Sequence, residues 1–134
     1  MRRRLLDTQV LISFWNREKR RAKSPLSPTN VAAWAKKLIV SQDTSAIVTP
    51  VFIEFIAGVT SANELRFALA FLAPFTIIDE GNIPKEDWQE AERIAKRVSR
   101  SSKRRQLGDC LIRAIANRLK YEVAPTGDKG FPRS

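Results

Sequence analysis

A chain of 134 residues, 43% apolar and 28% charged, has the size and composition of one globular domain, 1–134, rather than a disordered segment. It holds no histidine and a single cysteine, Cys110, which excludes imidazole catalysis, histidine-ligated metals, an internal disulfide and a cysteine-rich zinc site. Its 24 basic against 14 acidic residues leave a net charge of +10, a balance that draws polyanions, with plain solubility as the alternative.

The opening RRRLLD reads as a short buried strand. TQVLISFWNREKRR follows as a helix running into a basic loop, and SPLSP, residues 24–28, is a turn. NVAAWAKKLIV has apolar residues near helical spacing at Val31, Trp34 and Leu38. SAIVTP suggests a second strand, stopped by Pro50 in the first turn of the helix VFIEFIAGV. SANELRFALAFLA is another helix, with Ser61 and Glu64 spaced as a capping box, so Glu64 is assigned a structural task. PFTIID is the third strand. NIPKEDWQEAERIAKRVSR is an amphipathic helix with Trp88, Ala91, Ala95 and Val98 as its apolar stripe, acids in its first turn and bases in its last. GDCLIRAIANRLK is helical, and YEVAPTGDKGF is a fourth strand entering a glycine-rich turn. Strands alternating with helices predict an α/β domain around a parallel sheet. Trp15 and Trp34 are expected in the core or an interface.

No apolar run approaches the roughly 20 residues of a membrane span. Asp7 also splits the apolar segment that a signal peptide would need intact. A soluble cytoplasmic protein is therefore expected. Two basic clusters, NREKRRAK at 16–23 and KRVSRSSKRR at 96–105, would suit a surface that tracks a nucleic-acid backbone.

Four carboxylates stand in positions that need a reason. Asp7, in LLDTQVLI, follows the first strand, where capping of the next helix or membership of a site at the sheet edge would each explain it. Glu54 lies in a helix with no polar face. An unpaired buried carboxylate is costly, so a salt bridge to an arginine or a metal ion must meet it. Asp109 begins a helix directly after Gly108, as an N-cap would. Asp128, in TGDKG, suits a turn. In a parallel α/β domain all four positions face the carboxyl ends of the strands. Four acids converging there would repel one another unless a divalent cation neutralised them.

LLDTQVLI, TPVFIEFIAGV, GDCLIRAIANRL and APTGDKGF occur in the order and places in which the chain resembles PIN-domain proteins, specifically VapC-type toxin ribonucleases. The resemblance spans nearly the whole chain and implies a three-layer α/β/α sandwich with a short four- or five-stranded parallel sheet. It matches Asp7, Glu54, Asp109 and Asp128 to the family's four acids, Asp109 heading a helix that usually reads D-x-L-I-A-A. Thr126 matches the hydroxyl residue of the last turn, and Thr8 is its counterpart after Asp7. Gln9 stands where asparagine is usual, and Gly130 replaces the second aspartate of the last motif. The chain stops three residues after Phe131, where relatives often continue into a final strand.

The function so implied is Mg²⁺- or Mn²⁺-dependent hydrolysis of RNA by the toxin of a toxin–antitoxin pair, with Asp7, Glu54, Asp109 and Asp128 as ligands and Thr126 placing the water. A homodimer is implied, as is a cognate antitoxin laying an apolar and basic segment across the acid pocket. The rival readings are a housekeeping RNA-processing nuclease of the same fold and a non-catalytic nucleic-acid-binding module, which would explain the charge without any metal.

Overall fold

The computed structural model describes residues 3–97 and 107–124. Across them run β1 (Arg3–Leu6), α1 (Thr8–Arg21), α2 (Pro28–Gln42), β2 (Ala46–Ile47), α3 (Thr49–Ala57), α4 (Ala62–Leu72), β3 (Thr76–Ile77), α5 (Lys85–Arg97), α6 (Leu107–Leu119) and β4 (Tyr121–Ala124). Most of these boundaries have a local cause. Ser27 Oγ accepts from Asn30 N at 3.1 Å and Pro28 sits in the first turn, so α2 starts two residues before Asn30. The same geometry at Ser61, which accepts from Glu64 N at 3.1 Å, opens α4, and the Glu64 carboxylate faces Lys19 of α1 at 3.5 Å. The cluster at 16–23 is helical through Arg21 rather than a loop, because Lys19, Arg20 and Arg21 complement the negative end of α1.

The strands pair in parallel, as the alternation of elements predicts. Arg3–Leu6 runs beside Tyr121–Ala124, and Ala46–Ile47 beside Thr76–Ile77. Thr44 couples the two pairs: its hydroxyl donates to Arg4 O at 2.7 Å and accepts from Ala46 N at 3.1 Å, while the Arg4 guanidinium donates to Gln42 O. Six helices pack around these four short strands among the described residues, as an α/β sandwich. The place of any fifth strand lies outside the described residues.

The core lies between β1, β2 and the inner faces of the helices, with Leu5, Leu6, Leu11, Ile47, Val48, Val51, Phe71, Ile112 and Ile115 wholly or almost wholly buried. Trp15 stands edge-on to Trp34, Phe55 and Phe71, with ring centroids 5.7, 5.6 and 5.0 Å away. Each such contact adds about 1 kcal/mol beyond the area it buries, so this cluster holds α1 against α3 and α4.

The buried face of α5 differs from expectation. Asp87, Ala91 and Ile94 face inward, whereas Trp88 is 48% exposed, Ala95 is exposed, and Val98 lies outside the described residues. The cause is an ion pair: Arg118 Nε of α6 donates to both oxygens of Asp87, at 2.9 and 3.0 Å. Asp87 is only 1% exposed, and burying it required turning α5 toward Arg118.

Candidate active site

Leu5 and Leu6 are fully buried, and the next residue, Asp7, is 3% exposed. Its backbone N–H donates to Ala124 O at 3.0 Å, so β1 and β4 end at one edge, and Asp128 follows β4 shortly in sequence. Asp7 Oδ1 accepts from Gln9 N at 3.2 Å and caps α1. Oδ2 lies 3.8 Å from an Nη of Arg113. The capping reading of Asp7 is met by Oδ1, and Oδ2 faces Arg113.

Thr8 opens α1, 7% exposed, and its hydroxyl donates to Glu54 Oε1 at 2.5 Å. Glu54 projects from α3, half-buried, toward the first turn of α6. There a β-carbon at position 108 would stand 1.9 Å from Oε2, 2.5 Å from the carboxyl carbon and 3.0 Å from Oε1. Gly108 is therefore the space in which the Glu54 carboxylate sits. Among the described residues Glu54 has no arginine or lysine partner; a hydroxyl and the bare backbone of a helix start meet it instead.

Asp109, half-buried, follows Gly108 in that first turn, where a negative charge suits the helix dipole. One turn later Arg113, 9% exposed, donates to Asp109 O at 3.4 Å and reaches Asp7. Asp7, Thr8, Glu54, Gly108, Asp109 and Arg113 thus form one connected group at the carboxyl edge of β1 and β4. Thr126 and Asp128 lie outside the described residues. Most of the second basic cluster does as well.

Against family descriptions, residues 4–134 match the PIN domain. The chain belongs to the PIN-domain family. Comparison with curated proteins finds no match. The PIN fold is a nuclease-type fold, and PIN domains are generally hydrolases that typically use divalent metal ions. The donors in this PIN domain fit such an ion in kind, being carboxylate and hydroxyl oxygens with no imidazole or thiolate cluster. Among the described residues, however, no three acidic or cysteine side chains stand close enough to hold an ion between them. No helix among them is long and apolar enough to cross a membrane.

The sequence also carried polar residues whose tasks only this PIN domain's packing exposes. Asp79, at the end of β3, is 5% exposed, and its Oδ1 accepts from both Thr49 N and Thr49 Oγ1 at 2.9 Å. The N-cap residue of α3 is Val48, whose side chain has no oxygen to offer, so the cap of the Glu54 helix comes from the turn after β3. That missing local cap was the available signal. Arg113 and the Asp87–Arg118 pair had none beyond their charge. Asp87 holds the Arg118 guanidinium above its ordinary value through their hydrogen bonds.

Proposed function

We propose that this PIN domain is a metal-dependent endoribonuclease, the toxin of a toxin–antitoxin pair. The observation that carries the reading is the Thr8–Glu54 hydrogen bond at the β1–β4 edge, with the Glu54 carboxylate resting over Gly108. A carboxylate held this way is oriented without being neutralised by a protein cation, which is the state a cation ligand requires. Asp7, Glu54, Asp109 and Asp128 would hold Mg²⁺ or Mn²⁺, directly or through water. When bound, such an ion supplies an acidified water and relief of charge at phosphorus.

The chain's own residues do the rest. Thr8 fixes the rotamer of Glu54, Gly108 gives it room, and Asp7 ties the site to both strand ends. Thr126 orients the attacking water. Exposed bases of α1, among them Arg17, Arg20 and the following Lys23, track the RNA backbone. The partners are a cognate antitoxin that covers the acid edge and a second copy of the chain, and the setting is the cytoplasm.

Cleavage of mixed cellular RNA tests this directly. With Mg²⁺ the wild-type protein cuts, while EDTA or Glu54→Gln lowers the rate by at least about 100-fold, the scale of losing an oriented charge at a reacting centre. Cleavage that persists under both treatments would refute the mechanism. Intact RNA affinity with no cleavage under any condition would instead favour the binding module. Growth arrest on expression, abolished by Asp109→Asn and by a small neighbouring antitoxin frame, separates a toxin from a housekeeping nuclease.

A further inference from the structure

Asp109–Ala114 reads DCLIRA, with arginine where the motif given above has alanine. Four residues after Asp109, Arg113 lies on the same helix face and so points at the acid edge. Its side chain is 11% exposed, and one end of its guanidinium is 3.8 Å from Asp7 Oδ2 while the other donates to Asp109 O. A buried guanidinium is costly without anionic partners, and here its partners include the carboxylate and helix backbone of the proposed ion site. Among the described residues the group brings three carboxylates, Asp7, Glu54 and Asp109, together with the Arg113 guanidinium.

We infer that Arg113 is a resident counter-cation of the acid pocket, competing with a divalent ion for Asp7. The inference rests on the metal-site reading above and adds to it how that site is regulated. Before any ion arrives, Arg113 offsets the charge of Asp7 and keeps the pocket folded. When an ion enters, Asp7 must exchange its guanidinium partner for it, so affinity is lower than the same carboxylates would give alone. Occupancy then follows the divalent-ion concentration instead of remaining permanent. Arg113 here is a positioning residue acting through Asp7.

The test is calorimetric titration of Mn²⁺ into the full chain without RNA, comparing wild type with Arg113→Met and Arg113→Lys. The Met variant is expected to bind Mn²⁺ at least tenfold tighter, and the Lys variant, which keeps the charge, within a few-fold of wild type. In EDTA the Met variant melts below wild type because Asp7 has lost the Arg113 charge, and added Mn²⁺ closes or reverses that gap. If Arg113→Met does not fold, Arg113→Gln, which retains amide donors without the charge, carries the same expectations. Equal or weaker Mn²⁺ binding in the uncharged variants overturns the counter-cation role and leaves the metal-site reading standing. Absence of Mn²⁺ binding by wild type and variants alike overturns the metal site itself, and this inference with it.

Discussion

A β-carbon at position 108 would meet Glu54 Oε2 at 1.9 Å, and the atom it meets is the far end of a flexible side chain. Gly108→Ala should therefore leave the fold standing and move the glutamate. The displaced carboxylate gives up the Thr8 hydrogen bond, at a cost of about 1 kcal/mol. Alanine in place of glycine in a helix returns up to about 1 kcal/mol. The two nearly cancel. Urea unfolding of Gly108→Ala is expected within about 1 kcal/mol of wild type, while RNA cleavage falls as far as it does in Glu54→Gln. A variant that unfolds readily would contradict the stability expectation, and one that folds and cuts normally would show that the Glu54–Gly108 contact has no functional task.

Helices α5 and α6 lie side by side, and the ion pair between them is lopsided. Asp87 is 1% exposed, whereas the Arg118 side chain is 35% exposed. Removing the arginine strands a carboxylate away from water; removing the aspartate leaves a guanidinium that can turn outward. Arg118→Ala is thus expected to cost about 3 kcal/mol, the low end for breaking a buried pair since water reaches the arginine side. Asp87→Ala should cost about 1–2 kcal/mol. Chemical denaturation of both variants reads the order, and a larger loss from Asp87→Ala would contradict it. The arginine's folded value is the raised one, so its share of this stability is complete at neutral pH. It is lost only as pH climbs past the arginine range. Because α6 also carries Gly108, Asp109 and Arg113, loosening this pair should reach the acid edge.

Viewed as one molecule, the chain has a net charge of +10, with Asp7, Glu54 and Asp109 at the edge where β1 and β4 end. The excess favours any RNA, while carboxylates at that edge oppose phosphate until their charge is balanced. Binding should therefore depend steeply on salt. For single strands the logarithmic slope falls by about 0.7 per phosphate contact. Replacing Arg17, Arg20 and Lys23 together with glutamine should flatten the slope by about 2 if all three meet phosphates. Fluorescence anisotropy of Glu54→Gln protein with single-stranded RNA across a salt series measures this. An unchanged slope would remove α1 from the RNA path.

Much of the architecture was legible in the order of residues because its causes are local. Pro50, Ser61 with Glu64, and the bases closing α1 act within a turn or two, so the helices they bound are visible without coordinates. The parallel pairing follows from strands alternating with helices, and the family from motifs that keep their order along the chain. Other decisions joined residues far apart in sequence, and only the uncapped start of α3 announced one of them. Asp79 caps α3 from the turn after β3, Asp87 faces Arg118 from the buried side of α5, and Arg113 reaches Asp7 from the far end of the chain. A buried charge takes whichever opposite charge or donor the packed chain brings within reach, and proximity of that kind exists only after folding.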